Sequence, residues 1–146
     1  KAKAAGLTEN EVITLASIVD EETSNVAEMP KIAGMYINRL HINMPLQADP
    51  TVKFATKNFT AHRIYQKWLT VDSPYNTYKY RGLPPGPIRI PSVEAIDAVL
   101  NYVHHDYIYM CAKEDFSGTH NFAKTYEEHQ INAAKYAKAL NVRGIQ

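Results

Sequence analysis

Three adjacent acidic residues end the first helical pattern of this 146-residue sequence, and their type and position suit acid–base chemistry. Asp20, Glu21 and Glu22 follow an apolar stripe, and at about 100° per residue they point in three different directions. Glu22 falls at the edge of the stripe near the helix C-terminus, where burial and the helix dipole both raise a carboxyl pKa. A carboxyl group that keeps its proton near neutral pH can serve as a general acid. Position alone leaves Asp20 and Glu21 as alternatives to Glu22.

Other catalytic and binding chemistries have less support in the sequence. No two of the six histidines have the i, i+4 spacing of a zinc-binding helix, and Cys111 lies in an apolar stretch that suits an inert thiol. The sequence contains no nucleophile elbow, phosphate-binding loop or dinucleotide fingerprint. Its net charge of +1 provides no basic field for nucleic acid. His120, in a Gly-Thr-His-Asn-Phe turn, is the most suggestive of the histidines.

Capping signals and apolar periodicity predict five helices that must position these residues. Thr8 and Glu11 have the spacing of a capping box, Asp49 precedes a proline as a helix cap, and Ser92 is an N-cap. The predicted helices run from Thr8 through the acidic triplet, over Val26–His41, from Asp49, from Ser92, and over Thr125–Leu140. The inner face of the last helix is expected to carry Tyr126, His129, Ala133, Tyr136, Ala137 and Leu140.

The remaining segments predict a small sheet and an ordered loop. Tyr107–Ala112 has the apolar character of a buried strand, and Gly118–Phe122 forms a turn into a second short strand. The stretch Asn58–Pro91 is rich in proline and aromatic residues and is expected to form an ordered cleft wall. We therefore predict an α+β fold, with helices packed around a small, mainly antiparallel sheet. Its substrate groove is expected between the end of the Glu22 helix and the loop Ser73–Ile88.

Composition and length indicate one folded domain, assigned to residues 1–146. Apolar residues make up 45% and charged residues 21% of the chain, and a chain of this length can bury a sizeable core. No apolar run approaches the roughly 20 residues of a transmembrane helix, and no signal peptide is visible. The sequence opens at Lys1 rather than Met, in mid-pattern, so it is expected to be a fragment of a longer protein.

An ordered series of sequence blocks resembles the endolytic murein transglycosylases of the MltG (YceG-like) family. Residues 15–23, LASIVDEET, resemble the catalytic helix of that family, whose motif is ASIVEKET. Further similar blocks are YINRL at 36–40, MPLQADPTV at 44–52, SPYNTY at 73–78, GLPPGPI at 82–88, GTHNF at 118–122 and the pair Glu128-His129. The series covers nearly the whole chain, and its order makes the resemblance specific.

The resemblance implies that Glu22 is the catalytic residue, because it matches the glutamate immediately before the threonine of the motif. Glu21 replaces the lysine of the motif, and its negative charge is expected to raise the pKa of Glu22 if the two carboxyl groups are close enough. Substrate contacts are expected from Thr23, Gln47, Tyr75, Asn76, Thr77, Tyr78, Gly82 and His120. Arg39 is expected either to meet a stem-peptide carboxylate or to form a structural ion pair.

The resemblance also implies a reaction, the cleavage of peptidoglycan strands at the β-1,4 bond between N-acetylmuramic acid and N-acetylglucosamine. The product is a 1,6-anhydro-muramyl end, and one glutamate acts first as acid and then as base. No metal or organic cofactor is expected. The implied partners are glycan strands and peptidoglycan synthases, not nucleic acid. The full-length protein is expected to be anchored in the inner membrane upstream of this C-terminal fragment, with an extracytoplasmic (periplasmic) catalytic domain.

Other functions stay open at the level of the sequence. The same scaffold could hydrolyse the bond as a muramidase, with water in place of the muramyl 6-hydroxyl. The chain could also be a non-catalytic module that binds peptidoglycan. A metal-dependent hydrolase assembled from distant histidines is the least supported alternative.

Overall fold

The first helix, α1 (Glu9–Glu22), begins at the predicted capping box and ends at the acidic triplet. Our computed structural model describes residues 6–56, 69–113, 115 and 117–142. Thr8 Oγ1 accepts a hydrogen bond from the Glu11 N–H, and the Glu11 carboxylate accepts one from the Thr8 N–H. These bonds satisfy two N–H groups that the first turn would otherwise leave unpaired. At the other end, the Thr23 N–H closes the helix by donating to the Val19 carbonyl.

The second predicted helix consists of two parts. A 3-10 turn over Val26–Glu28 leads directly into α2 (Met29–His41). Pro30 explains this division, since proline fits the first turn of an α-helix, where an N–H would have no partner. The prediction over Val26–His41 is therefore right in extent, and the α-helix itself begins three residues later.

Two shorter helices begin where the capping residues predicted them. α3 covers Asp49–Thr56, and α4 covers Val93–Leu100. The Ser92 hydroxyl accepts a hydrogen bond from the Ala95 N–H at 3.1 Å, as an N-cap does. Asp49 is itself the first residue of α3, so its carboxylate stands at the start of that helix.

Helices α1, α2 and α4 pack against one another and enclose the core. Its fully buried side chains include Leu15, Ile18 and Val19 of α1, Ile32, Tyr36 and Ile37 of α2, and Val99 of α4. Each of these helices turns an apolar stripe inwards. Burial of one large apolar side chain contributes roughly 1.5–3 kcal/mol. This packing fixes the end of α1, and with it the acidic triplet.

The described part of the chain contains one sheet, an antiparallel pair of strands. β1 (Tyr109–Ala112) pairs with β2 (His120–Ala123), with Ala112 opposite His120. β1 starts two residues later than predicted, and it is half-buried, whereas the sequence predicted a buried strand. The expectation of burial was wrong because a sheet of two strands leaves both of its edges uncovered.

The last helix, α5 (Tyr126–Val142), packs on this sheet. Its predicted inner face is correct in part. Leu140 is buried and the His129 ring stacks on Tyr109 with centroids 5.0 Å apart. Tyr126, however, is 55% exposed, because two strands offer a helix little surface against which to bury its side chains.

Residues 71–92 form neither helix nor strand, as the loop prediction required. Residues 58–68 of that predicted loop lie outside the described part of the chain. The α+β prediction, with helices around a small antiparallel sheet, is confirmed. Within the described ranges, no helix combines the length and the apolar character needed to cross a bilayer.

Candidate active site

The end of α1 opens into a cavity of about 460 Å³. Both strands and every helix described above except α4 contribute to its lining. Its polar lining includes Glu22, Tyr36, Gln47, Asp49, Tyr78 and His120. The structure therefore brings four of the predicted site residues to one cavity, namely Glu22, Gln47, Tyr78 and His120.

Glu22 is the last residue of α1, and protein encloses most of its side chain, which is 14% exposed. Its Oε1 accepts a hydrogen bond from the Tyr36 hydroxyl at 2.8 Å. Its Oε2 lies 3.9 Å from His120 Nε2, which is an electrostatic contact beyond hydrogen-bond distance. The carboxyl group is thus held at one oxygen and leaves the other available to a ligand in the cavity.

This environment raises the pKa of Glu22 from 4.5 to about 7. Burial is the largest cause, because the carboxylate loses hydration, and the negative charge of Asp49 adds to the rise. The charge of His120, the hydrogen bond from Tyr36 and the charge of Lys53 all act in the opposite direction. A pKa of about 7 lets Glu22 hold a proton at neutral pH in many molecules and still release it during a reaction.

The three acids of the triplet have three different partners. Asp20 Oδ2 accepts a hydrogen bond from the N-cap N–H of α4 at 2.8 Å, and Glu21 pairs with Arg89 at 3.0 Å. Only Glu22 of the three hydrogen-bonds to another cavity residue. Glu21 pairs with Arg89 and is not among the groups that shift the pKa of Glu22, and the carboxylate that raises this pKa is Asp49.

His120 is held by a carboxylate that the sequence did not single out. Glu28 Oε1 lies 2.6 Å from His120 Nδ1, and Glu28 Oε2 accepts a hydrogen bond from the His120 N–H at 2.8 Å. The carboxylate holds the ring with Nδ1 towards Glu28, so Nε2 is the ring nitrogen that faces Glu22. The two residues are 92 positions apart, and no local pattern could have paired them.

Asp49 and Tyr78 form a second polar pair in the cavity, with the Tyr78 hydroxyl donating to Asp49 Oδ1 at 2.5 Å. Asp49 is an exposed residue of the cavity lining. Partial loss of hydration raises the pKa of its carboxyl group, and the hydrogen bond from Tyr78 lowers it. Burial and the charge of Asp49 raise the pKa of Tyr78, so its hydroxyl stays protonated. The sequence presented Asp49 only as a helix cap.

Gln47 lines the cavity from the segment before α3. Its φ of 50° lies in the left-handed region, which residues other than glycine adopt rarely. A hydrogen bond from the Gln47 N–H to the Thr77 carbonyl, at 3.2 Å, holds this conformation. The residue is exposed, so its amide is accessible from the cavity.

Asn76 and Thr77, two of the expected substrate contacts, do not line the cavity. Both side chains are buried, and Asn76 is 0% exposed. The Asn76 amide donates to the Leu69 and Val71 carbonyls, and its oxygen accepts a hydrogen bond from the Tyr78 N–H. Thr77 Oγ1 accepts a hydrogen bond from an N–H just before α3, at 2.8 Å. Buried polar groups need such partners, and these two residues fix the loop that carries Tyr78.

Thr23, Tyr75 and Gly82 also lie outside the cavity lining. Thr23 is buried, and its hydroxyl donates to the Gly118 carbonyl at 3.2 Å, which ties the end of α1 to the turn before β2. The Tyr75 ring packs on Phe54 with centroids 4.9 Å apart. Gly82 has a φ of 83°, so its turn requires glycine. In this structure the three expected contacts are parts of the scaffold.

Arg39 lines the cavity and forms no ion pair with a carboxylate of the described residues, and its expected contact with a stem-peptide carboxylate stays a prediction. Its Nε donates to the Ile108 carbonyl at 2.6 Å, and its Nη1 donates to the Pro45 and Leu46 carbonyls. Burial lowers its pKa. Because its guanidinium group donates to backbone carbonyls, Arg39 links α2 to the residue before β1 and to the segment before α3.

The described residues offer no metal site, since no three of their His, Cys, Asp or Glu side chains are grouped to hold an ion. Glu22 and Asp49 pair instead with tyrosine hydroxyls, and His120 pairs with Glu28, which lies outside the cavity lining. That the chemistry needs no metal stays a prediction.

Comparison with known proteins identifies relatives of this chain. The sequence profile of the YceG-like family matches residues 1–135. A Bacillus subtilis (strain 168) protein named endolytic murein transglycosylase is 41% identical over 132 residues, which are 90% of this chain and 36% of that protein. A Streptococcus pneumoniae serotype 2 protein of the same name is 34% identical over 141 residues, 94% of this chain and 25% of that protein. The chain thus spans only a part of each relative.

A solved structure agrees with this grouping. The crystal structure of a YceG-like protein from Listeria monocytogenes superposes with a TM-score of 0.80 at 37% sequence identity. The match covers 89% of this chain and 42% of that one. Nearly the whole chain therefore shares its fold with that protein.

Proposed function

Because this chain belongs to the YceG-like family, we propose that it is the catalytic part of a peptidoglycan lytic transglycosylase. Its substrate is a glycan strand, cleaved at the β-1,4 bond between N-acetylmuramic acid and N-acetylglucosamine. The observation that carries the proposal is Glu22, a carboxyl group with a pKa of about 7 on the wall of a cavity of about 460 Å³. The two relatives named endolytic murein transglycosylase support the class of substrate.

Glu22 acts in two steps, first as an acid and then as a base. The protonated carboxyl donates its proton to the glycosidic oxygen, and the bond from that oxygen to the muramyl anomeric carbon breaks. The Glu22 carboxylate then takes the proton of the muramyl 6-hydroxyl as that oxygen bonds to the anomeric carbon. The product is a 1,6-anhydro-muramyl end, water is not consumed, and Glu22 regains its proton. One carboxyl group therefore suffices, whereas a hydrolytic glycosidase uses two.

The neighbours of Glu22 suit both of its protonation states. The Tyr36 hydroxyl, 2.8 Å from Oε1, stabilises the carboxylate that exists between the two steps. His120 Nε2, 3.9 Å from Oε2, faces the carboxyl group without a hydrogen bond, and the charge of His120 favours the carboxylate. Glu28 holds the His120 ring in that orientation. Burial keeps the carboxylate basic enough to recover a proton in the second step.

Gln47 and Tyr78 are the substrate contacts that we propose from the predicted set. The exposed amide of Gln47 offers both a donor and an acceptor, which an N-acetyl group requires. Tyr78 lines the cavity and offers an aromatic ring and a hydroxyl to a sugar. The same hydroxyl donates a hydrogen bond to Asp49. The negative charge of Asp49 stabilises the positive charge that develops at the anomeric carbon.

The reaction takes place outside the cytoplasm, where peptidoglycan lies. The full-length protein, of which this chain is one part, is anchored in the inner membrane and works beside peptidoglycan synthases. The support for both statements is the family resemblance of the sequence blocks. Fractionation of cells that express the full-length protein, with detection in the membrane fraction, tests the anchoring.

Product mass tests the proposed reaction. Purified sacculi are incubated with the chain, with Glu22→Gln, and with Glu21→Gln as a matched control at the neighbouring acid. We expect soluble anhydro-muramyl products from the chain and from Glu21→Gln, and a loss of about 10²–10⁴-fold for Glu22→Gln, the usual contribution of a general acid. Equal turnover by both variants contradicts the role of Glu22, and unchanged glycan binding without any turnover indicates a binding module.

A muramidase is the second candidate, because Asp49 places another carboxylate in the cavity of Glu22. Such a carboxylate could activate water against the anomeric carbon. The product would then carry a reducing end and weigh one water more than the anhydro form. The same mass spectrum distinguishes the two reactions.

A further inference from the structure

A second, smaller cavity of about 160 Å³ adjoins the one that holds Glu22. Glu21, Pro50 and Lys53 line both cavities, so the two meet along a shared wall. Phe54 and Ile88 complete the lining of the smaller cavity. A ligand seated against Glu22 can therefore extend past this wall into the second cavity.

The shared wall carries one lysine, Lys53, whose charge also acts on the carboxyl groups of Glu22 and Asp49. Within the described residues, no carboxylate lies within ion-pair distance of the half-buried Lys53. The other charged group of the wall, Glu21, is neutralised by Arg89 at 3.0 Å. Arg39, the other cation that belongs to the larger cavity, donates to backbone carbonyls. Among the lysine and arginine residues that line the two cavities, Lys53 is therefore the one that remains able to bind an anion.

The remaining walls of the smaller cavity are apolar. Pro50, Phe54 and Ile88 offer carbon surface without hydrogen-bond donors or acceptors in their side chains. A sugar ring needs many polar contacts, whereas a short peptide with aliphatic side chains and a carboxylate matches three apolar residues and one cation. A muramyl unit carries such a peptide on its lactyl group.

We propose that the smaller cavity binds the acidic peptide substituent of the muramyl unit, with Lys53 as the partner of a peptide carboxylate. This inference rests on the proposed function, because it needs a muramyl unit at Glu22. It makes Lys53 a specificity-determining residue that separates peptide-bearing strands from bare strands. The sequence left that carboxylate as one of two alternatives for Arg39, and this proposal assigns the contact to Lys53.

The test measures binding in a background without turnover. Glu22→Gln, with and without Lys53→Met, is titrated with uncrosslinked glycan strands that carry peptides and with the same strands stripped by an amidase. We expect Lys53→Met to weaken binding of peptide-bearing strands about tenfold, the usual effect of one hydrogen bond to a charged group, and to leave stripped strands unaffected. Lys53→Arg keeps the charge and should retain most of the preference.

Lys124→Met is the matched control, because Lys124 is exposed and lies outside both cavities. Equal weakening of both kinds of strand by Lys53→Met overturns the inference. So does a larger loss on stripped strands, which carry a free lactyl carboxylate and would identify that group as the partner of Lys53. If Glu22→Gln binds neither kind of strand, the proposed function fails as well. If Lys53→Met still binds both kinds of strand and keeps the preference for peptide-bearing strands, the inference about Lys53 fails and the proposed function stands.

Discussion

The end of α1 and the loop at residues 73–78 flank the same cavity, yet their polar groups are satisfied in opposite ways. At the end of α1, Glu22 receives one hydrogen bond from Tyr36, and its burial raises its pKa to about 7. In the loop, the Asn76 amide makes three hydrogen bonds to backbone groups. A group with few partners in a cavity can change protonation or bind a ligand, whereas a saturated group stabilises the fold.

The two regions therefore have different roles in the site. Asn76 and Thr77 hold the loop in place beneath the surface, and Tyr78 alone of the three reaches the cavity. On the other side, the helices of the core fix the backbone of α1 so that Glu22 can remain incompletely paired. Substitutions in the loop should thus change stability first, and substitutions at the end of α1 should change protonation and turnover first.

Asn76→Ala should give the largest change in stability. It leaves the Leu69 and Val71 carbonyls and the Tyr78 N–H without their partners, at roughly 1–3 kcal/mol for each buried group. We expect the free energy of unfolding in urea to fall by about 4 kcal/mol. Asn101→Ala, an exposed position at the end of α4, is the control, with an expected change below about 1 kcal/mol. Equal losses of unfolding free energy for Asn76→Ala and Asn101→Ala would contradict the proposed role of Asn76 in stabilising the loop.

Glu22→Gln should stabilise the protein at high pH. The pKa of Glu22 is higher in the folded chain, at about 7, than its ordinary 4.5, so its ionisation between those pH values favours the unfolded chain. A glutamine avoids this loss. The expected gain at pH 8 is up to about 3 kcal/mol, with none at pH 4. Urea unfolding at both pH values measures it, and a gain of equal size at pH 4 would contradict burial of a titrating carboxyl.

Asp49→Asn should move the pH dependence of turnover without abolishing it. The proposed mechanism requires the acid form of Glu22, so kcat/KM should fall above about pH 7. Removal of the Asp49 charge lowers the pKa of Glu22, and this limb should move to lower pH. Lys53→Met removes a charge that lowers that pKa, so its limb should move to higher pH. Rate profiles on soluble strands measure both, and shifts in the same direction would refute the assignment.

Glu21→Gln should have the smallest effect. Its ion pair with Arg89 is exposed and contributes at most about 1 kcal/mol. We expect kcat/KM to change by no more than about twofold, with the pH limb unmoved. The same rate profile serves as the measurement. A shift comparable to that of Asp49→Asn would restore Glu21 as an influence on Glu22.

Features that depend on neighbouring residues could be predicted from the sequence. The capping box of α1, the N-cap Ser92 and the position of Glu22 at the edge of an apolar stripe all follow from spacing of a few residues. The pairs Glu28–His120 and Asp49–Tyr78 join segments 92 and 29 residues apart. Helical phase carries no information about such pairs, which arise when the helices pack.

The similarity of whole sequence blocks also has a physical limit. A block such as SPYNTY identifies positions that need a particular polar residue, but a buried scaffold amide and a substrate contact both impose that need. Asn76 and Tyr78 stand two residues apart in this block, one buried and the other in the cavity. Lys53, which lines both cavities, lies outside every matching block. The sequence therefore did not predict it as a site residue.

Direct titration of the Glu22 carboxyl group tests the central claim. The chain is labelled with ¹³C at the glutamate side-chain carboxyls, and the resonance of Glu22 is assigned by its absence from Glu22→Gln. The carboxyl chemical shift is then followed from pH 3 to pH 9. A midpoint at about 7 is the result that the buried, Asp49-facing environment predicts. A midpoint near the ordinary 4.5 would mean that Glu22 is ionised at neutral pH and cannot be the general acid.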